Sequence, residues 1–164
     1  MVLPFEEEYR KKYYRLLDEV FDSNFWSDGK MTRAFEEKFQ EFTGLYSCAV
    51  SSGGAGLLSV LEYVGVRGKE VIVPANTFWA TTQAAKKAGA DVVYADCNRE
   101  DLCMCYEDMV SKVTPDTKAV IVVHIGGHIA FDIERIASFC VERHIALIED
   151  CAHAHGAEWN GKIA

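Results

Sequence analysis

The stretch Ile145-Ala146-Leu147-Ile148-Glu149-Asp150-Cys151-Ala152-His153-Ala154-His155-Gly156-Ala157 decides how the whole chain is read. Four apolar residues make a strand-like run. It ends in two carboxylates, and small residues with two imidazoles follow. A carboxylate at the C-terminal end of a strand lies where open α/β sheets build their ligand sites. Asp150 ends an apolar run, so its surroundings are expected to be low in dielectric. A carboxylate there is costly unless it is paired.

Working back from that strand (145–149), an α/β rhythm runs through the chain. Residues 132–143 read as a helix, Gly126-Gly127 as a turn and 118–124 as a strand. Residues 106–113 form a helix stopped by Thr114-Pro115-Asp116, and 92–95 a strand. Pro74-Ala75-Asn76-Thr77 leads from strand 70–73 into helix 78–88. A glycine-rich turn, Ser51-Ser52-Gly53-Gly54-Ala55-Gly56, leads from a short strand at 46–50 into helix 57–64. Two amphipathic helices come first, 6–22 and 32–42; Thr32 is placed to cap the second and Gly44 fits its C′ position. Downstream, Asn160-Gly161 reads as a hairpin turn. Strands alternating with helices predict a mostly parallel sheet covered on both faces, a three-layer αβα architecture of the α/β class. No repeat, linker or low-complexity segment interrupts it, so one domain over 1–164 is expected.

Bulk properties narrow the function. The 164 residues carry a formal net charge of -8, which argues against nucleic acid or an anionic membrane as partner. No run approaches the ~18 apolar residues of a membrane span, and residues 1–10 lack a secretory core, so a cytoplasmic protein is expected. Cysteines at 48, 97, 103, 105, 140 and 151 then read as reduced thiols rather than a disulfide framework.

Three segments carry chemistry, all on one rim of the expected sheet. The glycine turn is a layout for cradling a phosphate, since helix N-terminal N–H groups point at an anion and small residues let it approach. It is neither a P-loop nor a dinucleotide fingerprint, and a tight βα turn with no ligand reads equally well. Phe78 and Trp79, opening a helix, suit either stacking on a planar ligand or core packing. Asp150 suits a partner that holds a proton on a ring nitrogen, with His153 placed to pack on that ring or to bond its phenolic oxygen. A rival reading gathers Cys151, His153 and His155 with Cys103 and Cys105 into a soft metal site, although C-x-H-x-H is not a familiar zinc spacing and no metal is expected. His124 and His128 read as rim residues in substrate binding or as plain turn histidines.

Taken together and in order, these segments resemble the sugar aminotransferase group (the DegT/StrS-like family) of fold-type I pyridoxal-phosphate enzymes. The matching text is Ser51-Ser52-Gly53-Gly54-Ala55, then Glu70-Val71-Ile72-Val73-Pro74-Ala75-Asn76-Thr77-Phe78, Thr114-Pro115-Asp116-Thr117-Lys118-Ala119, Val123-His124-Ile125-Gly126-Gly127 and Glu149 through Ala157. The resemblance implies the aspartate aminotransferase-like fold. It also implies transamination of a keto-sugar nucleotide or related carbonyl substrate with an amino donor. Pyridoxal 5'-phosphate is the implied cofactor and a homodimer the implied assembly. Gly53, Gly54 and Ala55 would offer backbone N–H groups to the cofactor phosphate, and Phe78 would stack on the pyridine ring. Asp150 would act as the catalytic carboxylate on the ring nitrogen. His153 would be a cofactor contact at a position that is commonly Gln in the family; the His resembles the variant of aminohydroxybenzoate synthase-like members.

Two departures stand out. Gly54 replaces a Thr that many members carry, removing a hydroxyl donor to the phosphate. The Schiff-base lysine of the family lies a few dozen residues beyond the Asp150 motif, and Lys162 is not at that position. The expectation is therefore an N-terminal portion: arm helices plus a partial cofactor-binding large domain, without the small domain, and inactive by itself. The strand at 46–50 would be an orphan in such a portion. A non-catalytic product that binds a phosphorylated ligand or dimerises, and a sugar dehydratase of the same cofactor class, are the alternatives.

Overall fold

The computed structural model describes residues 5–163; residues 1–4 and 164 of the expected 1–164 span lie outside the described residues. The chain divides into two compact units, residues 1–49 and 50–164. No helix among the described residues is long and apolar enough to cross a membrane.

The first unit holds α1 (Glu7–Ser23) and α2 (Lys30–Thr43), and no described residue of either is buried. Gly44 ends α2 as expected, left-handed at φ 73°, with its N–H bonded to Gln40 O at 2.8 Å. The start of α2 departs from expectation. Gly29 takes the capping position and Thr32 falls inside the first turn. Residues 46–50 form no strand. A strand needs a ladder partner, and here side chains take the polar groups instead. The Ala49 N–H donates to Glu36 Oε1 at 2.7 Å and the Ser47 hydroxyl to Glu36 O at 2.6 Å.

The second unit contains the sheet. Its strands are β1 (Glu70–Pro74), β2 (Asp91–Ala95), β3 (Thr117–Val123) and β4 (Ala146–Asp150). All pair in parallel, in the order β2-β1-β3-β4. The helices are α3 (Gly53–Val64), α4 (Trp79–Lys87), α5 (Tyr106–Ser111) and α6 (Ile133–Arg143). The period-2 alternation of the central strands explains the layers. Val71, Val73, Ala119 and Ile121 pack with Leu61 of α3 and with Ala84 and Ala85 of α4. Ile72, Val120 and Val122 point the other way, onto Met109 of α5 and Ile136 and Cys140 of α6. This is the three-layer αβα arrangement. β1 and β3 are buried on both faces and read as continuous apolar runs, whereas the edge strands leave Asp91, Tyr94 and Glu149 exposed. A two-stranded hairpin, β5 (Glu158–Trp159) and β6 (Lys162–Ile163), turns at Asn160 (φ 50°) and Gly161 (φ 75°), the left-handed pair that the Asn-Gly dipeptide predicts.

The order β2-β1-β3-β4 reverses direction between β1 and β3. A doubly wound sheet opens a crevice at that point, beyond the carboxyl ends of its strands. The loops after β1, β3 and β4 all empty there.

Candidate functional site

α3 begins where the glycine turn was expected. Ser52, extended at φ -167°, caps it, and its Oγ accepts the Ala55 N–H at 3.2 Å. Gly56 N–H bonds Ser52 O at 3.0 Å. Gly53 and Gly54 thus keep the two helix N-terminal donors without an intrahelical partner, while Ala55 already spends its donor on the cap. Neither glycine has a positive φ. A Cβ on Gly53 would meet nothing within 4 Å, and one on Gly54 would make ordinary contact with Ala80 Cβ at 3.5 Å. The fold does not require glycine at 53, so its absent side chain leaves the space beyond the helix end clear for a ligand.

α4 opens the next wall. Phe78 caps it, the Thr81 N–H bonds Phe78 O at 3.1 Å, and the Thr77 and buried Thr81 hydroxyls lie 2.8 Å apart. Phe78 and Trp79 are each 66% exposed, with ring centroids 5.4 Å apart. Neither ring packs into the core of the described residues.

Asp150 ends β4 in register with Val123 of β3. Its backbone carbonyl accepts the His124 N–H at 3.2 Å, and Oδ1 accepts the Ala152 N–H at 3.1 Å. Its surroundings differ from the low dielectric expected. Asp150 is half-buried, because β4 is an edge strand and its loop turns outward. One backbone N–H supports the carboxylate, and Oδ2 accepts no hydrogen bond from the described residues.

These parts meet. Gly53, Gly54, Ala55, Phe78, Asp150 and His153 line one hollow of about 610 Å³. That volume is in the range of small-ligand sites. The hollow also takes Trp79, weighed in the sequence as a stacking or core residue, and Gln83 and Lys87 from α4, which the sequence reading left without a site role. Their signal was the spacing: i, i+4 and i+8 share one helix face.

The metal grouping of Cys151, His153 and His155 with Cys103 and Cys105 does not form. Burial, with the Glu149 and Asp150 charges beside it, pushes the Cys151 thiol up to about 11, so it stays protonated near neutrality. Cys103 instead lies with Asp101 and His128. His124, read from sequence as a rim or turn residue, is fully buried. Its Nδ1 accepts the Ala130 N–H at 3.1 Å, which assigns the proton to Nε2, 3.0 Å from Glu149 Oε2.

Gly127 joins the two loops. It sits at φ 89°, and a Cβ there would come 2.9 Å from His153 O. Gly127→Ala is expected to cost about 1–3 kcal/mol through strain and this clash. It should also displace the His153 loop. Urea unfolding checks the first effect, and no loss of stability would show that the turn relaxes freely.

A doubly wound α/β domain with a hollow walled by two helix N-termini and a strand-end carboxylate is the class that this fold and site define. The chain belongs to the DegT/DnrJ/EryC1/StrS aminotransferase family, which its residues 7–164 match. It is 37% identical to the GDP-perosamine synthase of Escherichia coli O157:H7 over 149 residues, covering 89% of this chain and 41% of that protein. A crystal structure of 3-amino-5-hydroxybenzoic acid synthase superposes with TM-score 0.91 at 32% identity, over 100% of this chain and 43% of that one. A GDP-4-keto-6-deoxymannose-3-dehydratase, solved with a trapped PLP-glutamate geminal diamine, superposes with TM-score 0.83 at 28% identity, over 92% and 41%. Pyridoxal phosphate is the cofactor that goes with this family. The chain spans about 41% of the length of the perosamine synthase it matches.

Proposed function

We propose that this chain supplies the cofactor cradle of a pyridoxal-phosphate-dependent aminotransferase acting on a keto-sugar nucleotide or a related carbonyl compound. Its residues contribute arm helices and part of the cofactor-binding large domain, and the working enzyme is a homodimer. The observation that carries this reading is the single hollow shared by a helix N-terminus, an exposed aromatic ring and a carboxylate.

The residues present fit the group. Gly53 and Gly54 N–H donate to the phosphate, with the α3 dipole favouring its charge. Ala55 joins them by giving up its bond to Ser52. Phe78 stacks on the ring face. Asp150 would hold the proton on the ring nitrogen, and His153 would contact the ring or its oxygen. When bound, pyridoxal phosphate acts as the electron sink for the carbanion at the amine carbon. The family places its Schiff-base lysine beyond the Asp150 segment, so Lys87 is given no covalent role. The dehydratase among the solved relatives makes loss of water the second reading. Assay of an amino donor with keto-sugar nucleotide separates the two by whether nitrogen appears in the product.

The cradle is tested on the chain itself by titration with pyridoxal phosphate and with pyridoxal, followed by ligand fluorescence. Phosphate recognition predicts at least roughly tenfold tighter binding of the phosphorylated form, since hydrogen bonds to charged groups contribute ~1.5–3 kcal/mol. Equal affinities, or none, would overturn it. Gly53→Ala separates site from fold. The new methyl tilts toward the helix N-terminus, where the anion approaches. Stability is expected to hold or rise by up to ~1 kcal/mol, while pyridoxal phosphate affinity falls. Unchanged affinity would remove Gly53 from the cradle.

A further inference from the structure

Beyond the hollow, on the same rim, the loop between β2 and α5 meets the turn after β3. Asp101 and Cys103 come from the first, both buried, and His128 comes from the second. One ligand atom of each lies within 4.8 Å of the others. We propose that Asp101, Cys103 and His128 form a transition-metal site that takes Zn²⁺, with a fourth position open to water.

Each ligand is held by the backbone around it. His128 Nε2 lies 3.0 Å from Asp101 O. A carbonyl only accepts, so Nε2 carries the hydrogen and Nδ1 keeps the lone pair. A ring nitrogen bonded to a backbone carbonyl orients the other nitrogen for a metal. Asp101 Oδ1 accepts the Cys103 N–H at 3.0 Å and Oδ2 the Phe131 N–H at 2.8 Å. Those two bonds explain why Asp101 can be buried without a metal. They do not explain why a thiol and an imidazole converge on it. A carboxylate has about four acceptor sites, so each oxygen retains one. Burial pushes the Cys103 thiol up to about 11, with the Ile125 backbone N–H opposing it only in part, so a metal has to displace the thiol proton on binding.

The donor set chooses the ion. One sulfur, one nitrogen and one oxygen suit Zn²⁺, whereas Mg²⁺ and Ca²⁺ take oxygen. Metal–ligand bonds of ~2.0–2.3 Å put tetrahedral ligands roughly 3.5 Å apart. Side-chain adjustment of roughly 1 Å on binding closes the difference from the 4.8 Å within which the ligand atoms lie without the ion. Binding transfers the Cys103 thiol proton to solvent and forms the metal–sulfur bond in its place.

The experiment strips the chain with chelator and titrates it with ZnCl₂ by calorimetry and with CoCl₂ by absorption. One equivalent of each metal should bind, and cobalt should show a thiolate charge-transfer band. His128→Ala, at an exposed position that the fold tolerates, should weaken Zn²⁺ by roughly 10–100-fold or more. Cys103→Ser should remove the band, with circular dichroism confirming that the variant folds. Cys48→Ser, exposed and outside the cluster, should change neither readout. Absence of binding, a cobalt spectrum without the thiolate band, or full affinity in His128→Ala would overturn the site. None of these outcomes depends on pyridoxal phosphate.

Discussion

His124→Ala lowers the unfolding free energy of the second unit by about 3–5 kcal/mol. Two effects add. The imidazole is fully buried, and its removal leaves a void behind β3. The Ala130 N–H, also buried, loses its acceptor, His124 Nδ1 at 3.1 Å. An orphaned buried donor costs about 1–3 kcal/mol by itself. Domains of this size have roughly 5–15 kcal/mol in total, so the variant should sit near the threshold of folding. Glu149, 3.0 Å from Nε2, matters less, because its side chain is 41% exposed and water replaces the lost bond. Glu149→Gln should cost under ~1 kcal/mol. His124→Asn restores an acceptor where Nδ1 stood and should recover part of the loss. Urea denaturation of the three variants decides the matter. An Asn variant no more stable than the Ala variant would show that the void, not the orphaned donor, dominates.

His124 also marks a limit of reading by pattern. It follows Val120-Ile121-Val122-Val123, and a polar residue after an apolar run looks like the end of a strand and the start of a loop. Its burial depends on the 129–131 segment folding back to cover it, which no local window shows. The strand and helix positions of the second unit were legible because the central strands are apolar on both faces and the helices alternate between them. Strand 70–73 extends to Pro74, and strand 118–124 shifts by one residue to Thr117–Val123. Residues 46–50 failed for the opposite reason. Their composition is strand-like, but a ladder is a property of two segments, and Glu36 satisfies this one from a helix. The glycine turn was read as a loop before a helix at Leu57, since glycine is a poor helix former. The Ser52 cap outweighs that propensity and starts α3 four residues earlier, at Gly53. That shift is what turns Gly53 and Gly54 into helix N-terminal donors. Six residues quoted from sequence for one site line one hollow: they sit at the N-terminal ends of α3 and α4 and at the C-terminal end of β4. Gln83 and Lys87 carry no motif of their own; only their i+4 and i+8 spacing from Trp79 on α4 places them on the same rim.

Asp150→Asn separates charge from structure at that rim. The fold should survive. The one bond recorded for the side chain is the Ala152 N–H to Oδ1 at 3.1 Å, and an amide oxygen accepts it equally well. Asp150 is half-buried, so the exchange strands no charge, and the change in stability should stay within ~0.5 kcal/mol. The effect on chemistry should be far larger. A carboxylate beside a protonated ring nitrogen favours the charged ring, and an amide does not. Losing one such preorganised electrostatic partner typically costs on the order of 10²–10³ in kcat. Transamination by the aminotransferase proposed above should therefore fall by that factor. Binding of pyridoxal phosphate should weaken only modestly, because the phosphate end keeps its helix donors. Asp150→Ala adds the loss of the Ala152 bond, and it should match the Asn variant in rate while being slightly less stable. The split between kcat and cofactor affinity is the informative measurement. A variant that loses affinity and rate together by equal factors would make Asp150 a binding residue only. Near-normal kcat in Asp150→Asn would place the ring-nitrogen partner elsewhere on the rim.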